Sequence, residues 1–234
     1  MLVRDLGLKD YDEVWDLQRR LVFERGSDLV ADTVLLCQHP PVYTIGRSSR
    51  QTVPKDLPSP VRQVERGGDI TYHGPGQLMG YPILKLADLG LKPRSYLRAL
   101  EAVLIEAVKP FGVTAFALSG FTGLWAGKRK LASIGVAVRA GVAYHGFALN
   151  MNVDLAAFRW IHPCRLESDS MTTMQKVLGK PVDEHAVTKS VGQALLHYFG
   201  RTRMKSLVIA TFVALACAPS QAAFTVPGYE LVYS

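Results

Sequence analysis

Arg66-Gly-Gly-Asp-Ile-Thr-Tyr-His-Gly-Pro-Gly-Gln77 is the stretch from which the architecture is read. Gly67, Gly68, Gly74 and Gly76 permit positive φ or close approach of the backbone to a neighbour. Pro75 fixes one φ and removes a donor. The run is expected to be neither ordinary helix nor ordinary strand but a tightly turned loop that carries Arg66 and His73. Taken alone, it reads as a hairpin turn that contains a histidine.

Outward from this loop the chain alternates strand and helix signals. Residues 62–65 form a short strand leading into it, and residues 51–60 are a polar, proline-bearing loop. Thr33–Gln38 reads as a buried strand ended by Pro40 and Pro41, with a short extended piece at 43–45. Asp10 begins a helix with Glu13 as its capping-box partner. Tyr11, Val14, Trp15, Leu21 and Val22 lie on one face of that helix at core-facing spacing. A second helix starts at Pro93 or Ser95, runs through Leu97, Leu100, Val103, Leu104 and Val108, and stops at Pro110. Residues 124–152 carry the punctuation of β-hairpins, with breaks near Gly127 and Gly141. A short helix is expected at 154–158. A third long helix is expected at 182–199, with Val187, Val191, Leu195 and Tyr198 on its apolar face. Helices with a mixed or antiparallel sheet give a sandwich of the α+β class.

Composition narrows the function classes. The 234 residues are 48% hydrophobic and 20% charged, which fits one globular domain with a substantial core. Formal net charge is +7. No Lys/Arg stripe interleaved with aromatics is present, so nucleic acid is not a partner by this reading. The basic surface suits an acidic protein. Cys37, Cys164 and Cys217 are widely spaced, with no zinc-ligand pattern, so no metal site and a reduced compartment are expected. Cys37 sits in an apolar run and reads as a buried structural thiol.

Two further segments belong with the glycine loop. Gly123-Leu-Trp-Ala-Gly-Lys-Arg-Lys-Leu-Ala-Ser-Ile-Gly135 reads as a strand, a turn at Gly127-Lys128, and a second strand bearing Lys130. Ile161-His-Pro-Cys164 places a cysteine after a proline in an irregular stretch. His39-Pro-Pro-Val-Tyr-Thr-Ile-Gly-Arg47 and His145-Gly-Phe-Ala-Leu-Asn150 complete the set. In this order, over roughly residues 6–200, they resemble the octanoyltransferases of lipoate biosynthesis, the lipoyl(octanoyl) transferases.

The resemblance implies the fold shared by biotin and lipoate protein ligases. It implies transfer of octanoate from acyl carrier protein to the lysine amine of lipoyl domains, in 2-oxoacid dehydrogenases and the glycine cleavage H protein. It implies a cytoplasmic monomer that needs no cofactor. Cys164 is then the nucleophile, since sulfur is strongly nucleophilic and thioester exchange is nearly isoenergetic. A free thiol is mostly protonated at neutral pH, and Lys130 supplies the cation that stabilises the thiolate. Once neutral, Lys130 takes the proton from the incoming amine. Arg66, Gly67, Gly68, Tyr72, His73, Gly74, Ser133, Ile134, Gly135, His145, Gly146 and Ala148 are the substrate-binding set. Leu78, Met79 and Leu149 are plausible walls of an acyl tunnel. Read without the resemblance, Lys128-Arg-Lys130 is a run of exposed strand cations, and His145 fits a structural histidine equally well.

Arg165 departs from the family, which usually has glycine directly after the cysteine. That substitution keeps a non-catalytic binding module open as an alternative. A second alternative is an ATP-dependent lipoate or biotin protein ligase, which adenylates a free acid and needs no cysteine. Residues 1–203 are expected to form the single catalytic domain. Residues 204–234 resemble a secretory signal peptide in the wrong place: Met204, Lys205, an apolar core at 207–218 and a cleavage-like Ser220-Gln-Ala222. The expectation is that this extension stands outside the fold and forms no membrane anchor; a final helix or strand packed on the domain is the other reading.

Overall fold

The structure, a computed structural model, describes residues 1–49, 53–161, 170–215 and 231–233. A large mixed sheet is built from β1 (Leu2–Leu8), β2 (Thr33–Gln38), β6 (Gln77–Lys85), β7 (Leu124–Ala126), β8 (Arg129–Arg139), β9 (Val142–Asn150) and β10 (Leu231–Tyr233). Its order is β10-β1-β2-β6-β9-β8-β7. The pairs involving β1 are parallel and the rest antiparallel. A small sheet, β4-β3-β5, is formed by β3 (Val42–Gly46), β4 (Val61–Val64) and β5 (Ile70–His73). The helices are α1 (Tyr11–Gly26), α2 (Pro93–Val108), α3 (Met174–Leu178) and α4 (Glu184–Leu215). This is the α+β sandwich expected.

The large sheet is buried on both faces, which is why β2 and β6 read as continuous apolar runs rather than alternating ones. Successive side chains still part to opposite faces. Val34 and Leu36 join Leu100 and Leu104 of α2 and Val187, Val191 and Leu195 of α4. Leu35 and Cys37 join Val14, Leu21 and Val22 of α1. The small sheet packs Tyr43, Ile70 and Tyr72 against Val153, Phe158, Ile161 and Met171. The N-terminal turn of α1 covers it through Tyr11, which meets Val42 and Val64.

Several local expectations change. The glycine loop is not free of regular structure, because Ile70–His73 is a strand paired antiparallel with β3. Its β-branched and aromatic residues suit a pleated surface, and the glycines are confined to its two ends. Asp10 caps α1 by accepting from the Asp12 and Glu13 amides at 2.8 and 3.3 Å. The return bond from Glu13 is absent; its carboxylate lies 4.0 Å from Lys9 Nζ. The short helix after Asp154 is a 3₁₀ segment, Leu155–Trp160. The last helix continues past 199 to Leu215, through a stretch with no proline or glycine after Gly200. Among the described residues no helix is long and apolar enough to cross a membrane.

Candidate functional site

The glycine loop folds back over the large sheet and closes a slot. Gly67 N–H donates to Val136 O at 3.0 Å, and Arg47 N–H to Arg66 O at 3.1 Å. The walls are Arg66, Gly67, Gly68, Thr71 and His73 from the small-sheet side, and Ser133, Ile134 and Gly135 from β8. His145, Gly146, Phe147 and Ala148 of β9 form the floor, with Met79 and Tyr81 of β6 and Tyr11 of α1. The space is about 480 Å³, open mouth included. Gly135 permits the close approach: a Cβ there would stand 3.0 Å from Gly67 O and 3.1 Å from Arg66 Cδ. Of the twelve expected binding residues, the slot gathers all but Tyr72 and Gly74. Tyr72 turns to the other face of the small sheet, against Tyr43 and Phe158, and Gly74 lies against its ring. Of the three expected tunnel residues only Met79 is a wall; the pleat sends Leu78 and Leu149 into the α2/α4 core.

A buried hydrogen-bonded chain leads from the slot. Arg66 Nη2 donates to Thr44 O at 2.7 Å and to Thr44 Oγ1 at 2.8 Å. Thr44 Oγ1 is 3.0 Å from His73 Nε2, and His73 Nδ1 is 2.8 Å from Gln77 Oε1. Gln77 Nε2 donates to Asn150 Oδ1 at 2.8 Å, and Asn150 Nδ2 to Thr172 O at 3.0 Å. A backbone carbonyl can only accept, so the far end fixes the direction of every bond. Gln77 therefore presents its oxygen, His73 donates from Nδ1, and Nε2 accepts from the Thr44 hydroxyl. Burial first, and then the Arg66 charge, push the His73 pKa down to about 3, so the ring is neutral.

His145 is held differently. Its φ of 53° is rare for a residue with a Cβ and marks backbone strain within β9. The buried Gln18 of α1 holds it by accepting its N–H at 3.0 Å. His145 Nε2 stands 3.1 Å from Glu65 Oε2, which also accepts from Trp15 Nε1 at 2.9 Å. Burial lowers the His145 pKa to about 4 despite the carboxylate. Glu65 is held below its ordinary range: burial opposes ionisation, but hydrogen bonds from its own amide, Trp15 and His145 prevail. Arg19 stacks 3.7 Å above the Trp15 ring and closes this end. Elsewhere His39 is structural, bonded to Lys9 O at 2.7 Å and Tyr81 Oη at 2.8 Å. Cys37 is buried, and burial pushes its thiol up.

Lys130 is not an exposed strand cation; it is 4% exposed. It pairs with Trp125 of β7, and its Nζ lies 5.9 Å from the Trp125 ring centroid. Gly123 makes room for it, because a Cβ there would fall 2.6 Å from Lys130 Cε, and its φ is 128°. Lys130 does not line the slot; it precedes the slot residues Ser133–Gly135 along β8. Its backbone is bridged twice to the chain beyond residue 169: Lys130 N–H donates to Ser170 O at 2.7 Å, and Thr172 N–H to Lys130 O at 2.9 Å. The same Thr172 ends the chain that starts at Arg66. Cys164 and Arg165 lie outside the described residues. Among the described residues no three His, Cys, Asp or Glu side chains gather to hold a metal ion.

Thr44, Gln77, Asn150, Glu65 and Trp15 were not picked out as site residues. Gln77 and Asn150 each close a quoted motif, and each is a buried amide at the end of a buried, largely apolar strand. A polar group there requires a buried partner, and that was the available signal. Glu65 and Trp15 meet only in three dimensions, fifty positions apart.

The profile of the lipoyl protein ligase A/B catalytic domain matches residues 10–196. An octanoyltransferase of Syntrophotalea carbinolica is 47% identical over 78% of this chain and 86% of its own. One of Geotalea uraniireducens is 45% identical over 82% and 90%, and one of Nocardia farcinica 42% over 84% and 80%. Among solved structures, lipoate-protein ligase A bound with ATP superposes with a TM-score of 0.67 at 13% identity, covering 89% of this chain and 94% of that one. The biotin protein ligase of Aquifex aeolicus in complex with biotin and ATP gives 0.54 at 15%, over 87% and 72%. At such identities the structures speak to the fold alone.

Proposed function

The chain belongs to the lipoyl protein ligase A/B catalytic-domain family and is an octanoyltransferase of protein lipoylation, and from that premise we propose that octanoate comes from acyl carrier protein, rests on Cys164 as a thioester and leaves on the lysine amine of a lipoyl domain. The Cys164 thiolate attacks the carbonyl of the octanoyl thioester and expels the carrier thiolate, which takes its proton from the Lys130 ammonium and leaves that lysine neutral. The lipoyl lysine amine then attacks the enzyme thioester, Lys130 accepts the amine proton, and Cys164 leaves as thiolate. Carbon, sulfur and charge balance without an oxidant or nucleotide.

The observation that carries this reading is the double backbone bridge from Lys130 to Ser170 and Thr172. Cys164 is three residues after the buried Ile161 and six before Ser170. An extended chain covers at most about 3.5 Å per residue, a reach that allows a residue at position 164 to approach Lys130, and this supports the pairing. Two buried donors without a partner among the described residues, Trp125 Nε1 and Ser133 Oγ, flank Lys130 in sequence and suit a developing oxyanion. The slot takes the acyl chain on Met79, Ile134, Phe147 and Ala148. His73, neutral and with both ring nitrogens bonded within the protein, and Arg66, held by Thr44, fix the shape of the wall beside it.

Transfer to a lipoyl domain from octanoyl carrier protein, without ATP, tests the reading. The wild-type protein is expected to transfer, and Cys164→Ser and Lys130→Ala to lose at least about 10³-fold. Transfer that demands free octanoate and ATP would instead assign a ligase.

A further inference from the structure

Arg129, Arg159 and Lys176 line one open cleft of about 1450 Å³, mouth included. All three are exposed, and none has an ion-pair partner among the described residues. The lining acid, Asp154, already accepts from the Ala156 amide at 2.9 Å. Among the described lining residues these three cations face one carboxylate, Asp154, a positive balance that suits an anionic group.

The position of the cleft says which anion. Arg129 opens β8 on the cleft, Lys130 follows, and Ser133–Gly135 reach the slot. Met171, which also lines the cleft, bridges to Lys130. Along about 16 Å of one strand the chain thus runs from the cationic cleft, through the buried Lys130, to the apolar slot. The matching substrate has an anionic group, a thioester and an aliphatic tail in that order.

We propose that this cleft binds the phosphodiester of the donor's thioester arm, the phosphopantetheine that joins octanoate to its carrier. The proposal rests on the acyl-thioester reading of the preceding subsection. Arginine and lysine hold the phosphate, and the arm runs past Lys130 to place the thioester carbonyl at the mouth of the slot.

The test uses the full chain with two small donors, octanoyl-phosphopantetheine and octanoyl-pantetheine, and a lipoyl domain as acceptor. The wild type is expected to prefer the phosphorylated donor in kcat/KM by about tenfold or more. Arg159→Glu, and Arg159→Glu with Lys176→Glu, bring that ratio towards one, whereas Arg20→Glu on the distant α1 surface keeps it. Thermal melts identify any variant that fails to fold; the ratio is read only on folded protein. The proposal is overturned by a wild type that ignores the phosphate, or by reversals that leave the ratio intact. It is also overturned if the reversals impair only the protein-borne donor, which would make the cleft a contact for the carrier's acidic surface. Transfer from octanoyl-pantetheine keeps the acyl-thioester reading alive in each of these cases. Loss of transfer from both small donors and from octanoyl carrier protein removes both.

Discussion

Single side chains at the site are held by neighbours that leave them little choice. Gly123 is the sharpest case, because a Cβ there would clash with the Ala132 carbonyl oxygen, fall 2.6 Å from Lys130 Cε, and demand a φ of 128° from a residue with a side chain. Gly123→Ala is expected to lower the melting temperature, because the Ala132 backbone must shift, and to lower kcat by about 10²-fold as Lys130 moves with it; a thermal melt and steady-state kinetics read the two effects. The two slot histidines make a prediction about pH. An unfolded histidine protonates near about pH 6.5, whereas His73 and His145 resist until about 3 and 4, chiefly because of burial. Below about pH 6.5 the unfolded chain therefore binds protons that the native state refuses. Stability is full above that value and falls as pH drops towards 4, by up to about 1.4 kcal/mol per unit for each ring. Urea titrations between pH 7 and 4 should show the slope, and His73→Gln with His145→Gln should flatten it relative to wild type. An unchanged slope in the double variant would mean that the rings are solvated.

At the scale of elements, strand pleat decides which residues face substrate. Ala148 of β9 and Met79 of β6 face the slot, while their neighbours Leu149 and Leu78 face α2 and α4. Ala148→Phe should fill the slot and shift preference to shorter acyl chains, with octanoyl kcat/KM falling about tenfold or more and butanoyl transfer falling less. A series of acyl donors measures this; an unchanged ranking would place the tail elsewhere. The same pleat sets what the sequence could disclose. Strands β2, β8 and β9, helices α1 and α2, and the turns at Gly127 and Gly141 were legible because turn residues and apolar periodicity mark them locally. The strand Ile70–His73 was not, because the glycines around it dominate its composition while its pairing with β3 is a tertiary fact. Tyr72 belongs to the set that the resemblance implies, yet adjacent strand residues face opposite ways and its ring packs on Tyr43 and Phe158. Gln77 and Asn150 were within reach as buried amides; their link to Thr172 and Lys130 depends on the fold.

For the molecule as a whole, the slot, Lys130 and the cationic cleft follow one another along β8, and the buried clusters that support them draw on residues between 1 and 199 among those described. Strand β10 pairs in parallel with β1 at the edge of the large sheet. We propose that residues 1–203 are the catalytic unit. A chain ending at Arg203 is expected to remain folded and active, with a melting temperature within about 5 °C of the full chain; loss of the cooperative transition would make the extension part of the fold. The central claim concerns a sulfur atom, and it is met most directly by peptide mapping of the protein after exposure to octanoyl carrier protein without acceptor. The account predicts one octanoyl group, labile to hydroxylamine, on the peptide containing Cys164, and its discharge on addition of a lipoyl domain. Octanoate found on Cys37, Cys217 or a lysine, or transfer that proceeds with Cys164 never acylated, would contradict it.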